Sequence, residues 1–193
     1  MIDFNVRLNE FSVSLKGFQV EGNDKNKIKQ KEGLNSAARI IKDLIRANKN
    51  LFIIGNGGSS GIASHAANDF INMCDLKCQT FHDISVLTCM TNDYGYDVTY
   101  QKLLENFSNE NDCLIAISSS GNSKNIINAT ERFRELNPKG KIITLSGFSQ
   151  DNQLRNKGDL NFWIDSKSYG IVEIAHQFIL HFFADKIYQE KVE

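Results

Sequence analysis

Two glycine- and serine-rich segments follow short apolar runs in this chain of 193 residues. The first loop, Gly55–Ser60, comes directly after Leu51–Ile54, and the second loop, Ser118–Ser123, follows Leu114–Ile117. An apolar strand that breaks into a glycine-rich turn and opens a helix directs backbone N–H groups and a helix N-terminus at one point, which suits an anion. Two such loops in one small chain predict a site for a phosphorylated small molecule.

His65 and Asp69 lie on the helix predicted after the first loop, four residues apart and therefore on one face. This spacing suits two metal ligands, or a base and the group that orients it. A second candidate set lies on the last predicted helix, which carries Glu173, His176 and His181. A single histidine on an apolar helix is more often a hydrogen-bonded core residue than a ligand, so both readings stay open for each of these two histidines.

The elements that must position these residues alternate between strands and helices along the chain. The apolar patterns predict strands at 51–54, 79–84, 114–117, 141–145 and 160–164, and helices at 33–47, 60–72, 97–107, 124–136 and 171–190, with a short helix at 150–156. Residues 1–20 fit a helix by length, 21–32 a polar loop or exposed helix start, and 89–96 a loop or short helix. The alternation predicts a single-domain α/β fold over 1–193, with a helical N-terminal extension at about 1–33 and a parallel sheet flanked by helices.

Composition limits the classes of partner. An apolar fraction of 41% is enough for one core, and a net charge of −1 gives no general attraction to nucleic acid or an anionic membrane. The sequence has no apolar run of membrane-spanning length and no signal-peptide order at its start, so we expect a cytoplasmic protein. We expect reduced thiols at the four cysteines, because no second pair completes a zinc ribbon; they are Cys74, Cys78, Cys89 and Cys113.

Four motifs in order resemble the sugar isomerase (SIS) domain family, most closely the bacterial phosphoheptose isomerases. They are GNGGSS with His65 downstream, TNDYGY at 91–96, SSSGNS at 118–123, and YGIVEIAH followed by His181. The resemblance covers about residues 34–190. It implies a flavodoxin-like sheet, a homotetramer with active sites between subunits, and one zinc ion per site. The implied reaction converts sedoheptulose 7-phosphate to D-glycero-D-manno-heptose 7-phosphate through an enediol, for lipopolysaccharide or capsule synthesis.

The resemblance also implies the roles of individual residues. Asp69 stands at the position of the family's glutamate base, and His181 at that of its histidine partner. The implied metal set is His65, Asp69, Glu173 and His181. Of these, Glu173 and His181 would be about 12 Å apart along a straight helix, at a rise of roughly 1.5 Å per residue, whereas each zinc ligand must lie roughly 2 Å from the ion. Binding by both would need long side-chain reach, a helix kink or contributions from two subunits, and we favour a composite site in an oligomer. The candidate substrate-binding residues are Asn56, Gly57, Gly58, Ser59, Asp93, Ser118, Ser119, Ser120, Ser123 and Glu173.

The sequence leaves three alternatives open. Asp93 could equally cap a helix rather than contact the sugar. The whole chain could be a non-catalytic SIS module that binds a phosphosugar or a protein. It could also be an isomerase of a different phosphosugar.

Overall fold

A computed structural model describes residues 3–192 of the chain. Seven strands form one sheet in the order β2-β1-β7-β6-β5-β3-β4. The strands are β1 Gln19–Gly22, β2 Lys27–Ile28, β3 Asn50–Ile54, β4 Lys77–Gln79, β5 Cys113–Ser118, β6 Lys141–Ser146 and β7 Leu160–Trp163. The helices are α1 Phe4–Lys16, α2 Gln30–Ala47, α3 Gly58–Cys74, α4 Ile84–Tyr94, α5 Thr99–Phe107, α6 Lys124–Leu136 and α7 Tyr169–Val192, with short 3₁₀ helices at Tyr96–Val98 and Gln153–Asn156.

The apolar runs of β3 and β5 are buried on both faces of the sheet. Leu51 and Ile53 point into the core beneath α2, α3 and α7, whereas Phe52 and Ile54 point into the core beneath α5 and α6. Strands that are covered on both faces need continuous apolar sequence, which is why these runs were recognisable. The expected α/β architecture with helices on both faces is confirmed.

One edge of the sheet differs from the expected parallel arrangement. β1 pairs antiparallel with β7, and β2 pairs antiparallel with β1. The prediction of a polar loop or helix start at 21–32 was therefore wrong where this hairpin lies, although α1 forms the expected N-terminal helix. The buried apolar residues at the start of this hairpin are Phe18 and Val20, and the residues around them are polar.

The segment after α3 also differs from expectation. The strand predicted at 79–84 lies earlier, at β4. Of the loop or short helix predicted at 89–96, the helix is present, but it begins earlier, at Ile84, as α4. Asp83 caps this helix, because its Oδ1 accepts a hydrogen bond from the Val86 N–H at 3.0 Å. α4 has no fully buried residue, so its apolar residues gave no clear helical periodicity.

The two glycine–serine loops open at the same place because of the strand order. The chain leaves β3 outward to β4 and then returns to β5 on the other side of β3. Ligands of open parallel sheets bind beyond the strand carboxyl ends at such a switch point. Between residues 3 and 192, no helix combines the length and apolar character that crossing a membrane requires.

Candidate active site

Both loops line one cavity of about 230 Å³ beyond the ends of β3 and β5. Helices α3 and α6 begin at this cavity, and at neither helix does the N-cap side chain bond to the first turn. Their positive dipole ends are therefore not neutralised by a side-chain cap, which favours an anionic ligand. The lining residues are Asn56, Gly57, Gly58, Ser59, Ile117, Ser118, Ser119, Ser120, Ser123, Tyr169 and Glu173.

Hydroxyl groups of the second loop add donors to this cavity. Ser118 Oγ is hydrogen-bonded to Ser123 Oγ at 3.1 Å and accepts the Gly121 N–H at 3.1 Å. Ser119 Oγ is buried and has no hydrogen-bond partner in the described chain. Leaving a hydroxyl buried and unpaired costs about 1–3 kcal/mol, which a ligand oxygen would recover. No lysine or arginine is among the described lining residues, so neutral donors and helix termini would bind the anion.

The second loop is hydrogen-bonded to the segment around the 3₁₀ helix Gln153–Asn156. The Leu154 N–H donates to the Gly121 carbonyl at 2.9 Å, and the Asn152 amide lies against Gly121 itself. Asn152 Nδ2 also donates to Ser146 Oγ at 3.2 Å at the end of β6. Asn152 was not among the residues predicted from sequence, since a single asparagine in a polar loop carries no pattern that points to the site.

A Gly121→Ala variant should lose affinity for phosphate at this cavity. Gly121 has a φ of +67°, which strains any L side chain, and an added Cβ would overlap the Asn152 amide. Because the loop or Asn152 must move, we expect the dissociation constant for inorganic phosphate to rise at least tenfold by calorimetry. Gly61→Ala, on α3 with open space around its Cβ, is the matched control and should leave binding unchanged. Equal affinities of the two variants would contradict this role of the loop.

Glu173 lies so close to the first loop that any side chain at position 58 would have to displace its carboxylate. An added Cβ on Gly58 would overlap the carboxylate of Glu173. Glu173, on the first turns of α7, therefore faces the loop cavity, which agrees with its predicted substrate-binding role more directly than with metal binding.

A second polar cluster lies further along the paired helices α3 and α7, and we call it the His–Asp–His cluster. It consists of His65, Asp69 and His181, whose candidate ligand atoms all lie within 4.8 Å of one another. Asp69 Oδ2 is 2.9 Å from His181 Nδ1 and 3.9 Å from His65 Nε2. The rings of the two histidines are edge-to-face, with centroids 4.9 Å apart.

The donor set of this cluster fits a zinc ion. Two imidazoles and a carboxylate are usual zinc ligands, and atoms about 2.1 Å from a tetrahedral ion lie about 3.5 Å apart, near the separations seen here. Asp69 Oδ2 is buried and lacks a hydrogen-bond donor in the described chain despite its close contact with His181.

Glu173 is not part of this cluster within the described chain. It lies eight residues before His181 on α7 and lines the loop cavity instead. The four-residue metal set is therefore not assembled by one chain, and it stays a prediction that requires a second copy.

His176 and Asp93 are also separate from the cavity. His176 is fully buried beside the carbonyl of Ser146, 3.1 Å from its Nε2, and burial lowers the pKa of His176 to about 4. It is a neutral core residue. Asp93 lies in the last turn of α4, where its Oδ2 is 3.6 Å from Cys89 Sγ. It does not cap a helix, so that alternative was wrong, and its contact with a sugar stays a prediction.

Residues 23–147, more than half of the chain, match the SIS domain family. This chain belongs to the SIS domain family. The SIS chain is 31% identical over 155 residues to a phosphoheptose isomerase of Campylobacter concisus, covering 77% of this chain and 80% of that relative. It is 31% identical over 169 residues to one of Yersinia pestis, covering 84% and 86% of the two chains.

Solved structures agree with the fold of the SIS chain. The phosphoheptose isomerase of Neisseria gonorrhoeae superposes with a TM-score of 0.80 at 23% identity, over 96% of both chains. That of Francisella tularensis gives a TM-score of 0.79 at 23% identity, over 96% of this chain and 94% of the other. At these identities the likeness establishes the architecture, and the predicted fold class is confirmed.

Proposed function

We propose that the SIS chain is a phosphoheptose isomerase, an aldose–ketose isomerase that converts sedoheptulose 7-phosphate to D-glycero-D-manno-heptose 7-phosphate. The relatives at 31% identity bear that name. The observation that carries the proposal is the pairing of an anion cavity at the start of α3 and α7 with an acid–base cluster on the same two helices. A phosphosugar isomerase needs both, whereas a module that only binds phosphosugars needs the cavity alone.

The reaction moves one proton between C1 and C2 and one between the two oxygens, through an enediol. Asp69 is the base for the carbon-bound proton. His181, whose Nδ1 is 2.9 Å from Asp69 Oδ2, is placed to exchange protons with the substrate oxygens. The loop cavity binds the phosphate, and Glu173 can accept hydrogen bonds from sugar hydroxyls near it. Each proton that leaves the ketose returns to the aldose, so the reaction needs no co-substrate.

We propose Zn²⁺ as the metal of the His–Asp–His cluster, with Glu173 contributed by a second copy of the chain. Such an ion supplies polarisation of the substrate carbonyl. Asp69 belongs to both the proposed ligand set and the proposed catalytic pair. Its two roles are separated by measuring metal content and turnover in the same variant.

An exposed apolar stripe supports self-association, and we propose the homotetramer that the family resemblance implies. Ile174, Phe178 and Phe182 recur every four residues on α7 and are 59%, 57% and 38% exposed in the single chain. A contiguous apolar patch of this kind marks an interaction surface. A second copy seated there would lie beside His181. An active monomer in solution would contradict this arrangement.

Incubation of the purified protein with sedoheptulose 7-phosphate, followed by NMR, tests the proposed function. We expect the aldoheptose 7-phosphate to appear, and both a chelator and His65→Ala to abolish turnover together with bound zinc, measured by elemental analysis. Addition of zinc should restore turnover to the chelator-treated protein but not to the His65→Ala variant. A folded oligomer without turnover would favour a non-catalytic SIS module. Turnover of another phosphosugar, without turnover of sedoheptulose 7-phosphate, would overturn the proposed substrate.

We also propose a cytoplasmic location and a role in supplying heptose for lipopolysaccharide or capsule. The relatives' name as phosphoheptose isomerases supports the heptose role.

A further inference from the structure

The side-chain amide of Asn56, in the first loop, is bonded from two directions. Asn56 Nδ2 donates to Asn125 Oδ1 at 2.8 Å, and Asn125 Nδ2 donates back to Asn56 Oδ1 at 2.9 Å. The hydroxyl of Tyr96 donates to the same Asn56 Oδ1 at 2.8 Å. Asn56 lines the loop cavity, so these bonds decide which of its groups a ligand can meet.

The bonds leave Asn56 with one free polar group. An amide oxygen has two acceptor positions, and here both are used, one by Asn125 and one by Tyr96. The amide nitrogen has two hydrogens, of which Asn125 receives one. What remains for a ligand is a single N–H donor.

The two partners hold the amide in different ways. Asn125 is the second residue of α6 and is only 2% exposed, so packing fixes its position. Two amides can exchange a pair of hydrogen bonds in either of two orientations. The Tyr96 hydroxyl donates to Oδ1. This bond favours the orientation in which Oδ1 faces Tyr96 and Asn125, and one hydrogen of the amide nitrogen stays free for a ligand.

We infer that Tyr96 and Asn125 are positioning residues that hold the Asn56 amide so that it presents one N–H donor to the loop cavity. This donor selects a ligand with an oxygen acceptor at that point, such as a phosphoester oxygen, over a group that can only donate, such as an ammonium. The inference rests on the proposed function, which supplies the phosphosugar. Asn56 and Tyr96 lie in two of the four motifs, and Asn125 lies two residues after a third.

A Tyr96→Phe variant tests the inference with little disturbance, because Tyr96 is half exposed. One hydrogen bond that orients a donor contributes about three- to tenfold in affinity. We expect KM for sedoheptulose 7-phosphate and the dissociation constant for inorganic phosphate to rise by that factor, with kcat within twofold and thermal unfolding unchanged. Tyr94→Phe, on an exposed ring of the same segment, is the matched control and should change neither constant.

The decisive measurement is a double-mutant cycle with Asn56→Ala. If Tyr96 acts through Asn56, Tyr96→Phe has no further effect on either constant in the Asn56→Ala background. Additive effects, or no effect of Tyr96→Phe on the wild-type protein, would overturn the inference. A wild-type protein that binds phosphate without isomerising would overturn the proposed function alone, and the phosphate constants would still decide the cycle. A wild-type protein that binds neither ligand would overturn both.

Discussion

An Asp69→Asn variant should lose isomerase turnover by about 10²–10⁴-fold while folding as the wild-type protein does. The amide is nearly the same size as the carboxylate but cannot accept the carbon-bound proton. Asp69 also lies against His181 at 2.9 Å, so the substitution removes the charge that the histidine faces. Product formation from sedoheptulose 7-phosphate, followed by NMR, gives the rate.

Two further variants make this result specific. Asn68→Ala changes the exposed neighbouring side chain on α3 and should leave turnover within about twofold of the wild-type rate. Asp69→Glu keeps the carboxylate and should retain far more activity than Asp69→Asn. If Asp69→Asn turns over at a rate within tenfold of wild type, the base lies elsewhere. Glu173, the carboxylate that faces the loop cavity, would then be tested as Glu173→Gln.

Glu21→Ala should destabilise the fold by about 3–5 kcal/mol, because it leaves a buried guanidinium without its counter-ion. Arg155 is 3% exposed, and its Nε and Nη2 donate to the two oxygens of Glu21 at 3.0 and 2.7 Å. The guanidinium also stacks over the ring of Trp163, 4.4 Å from its centroid. This group of contacts joins β1 to β7 and to the 3₁₀ helix behind the second loop. The shift of the urea unfolding midpoint at fixed protein concentration measures the loss.

The control for this variant is an exposed ion pair. Glu110 contacts Lys139 at 3.3 Å on the surface, and Glu110→Ala should change the free energy of unfolding by less than about 1 kcal/mol. The double variant Glu21→Leu/Arg155→Met should recover much of the stability, since apolar residues can replace a buried ion pair. Similar small losses for Glu21→Ala and Glu110→Ala would contradict a structural role of the buried pair.

The central sheet and its helices were predictable because the spacing of their apolar residues indicates which positions are buried. β3 and β5 contain continuous apolar runs, and α6 was predicted with the bounds it has in the structure. The hairpin β1–β2 was missed because its partner is β7, almost 140 residues away in sequence, and a short strand that depends on such a partner has little local signal.

The candidate site was predictable to the extent that local spacing encodes it. Glycine–serine loops after strands and the four-residue spacing of His65 and Asp69 are visible in sequence, whereas the pairing of His181 with Asp69 came from the family resemblance. Asn152, Asn125 and Tyr96 were missed. They act on the loops only through contacts between distant segments, and an asparagine or tyrosine in a polar stretch has many ordinary roles.

Both ends of the sheet are short strands that carry a lysine. The outer strands are β2 with two residues and β4 with three, and Lys27 and Lys77 lie on them. A short charged edge offers few free backbone groups to a foreign strand, which guards against fibril-like, edge-to-edge growth. Edge-to-edge pairing is therefore disfavoured, which leaves the apolar stripe on α7 as the described surface best suited to ordered contact between copies.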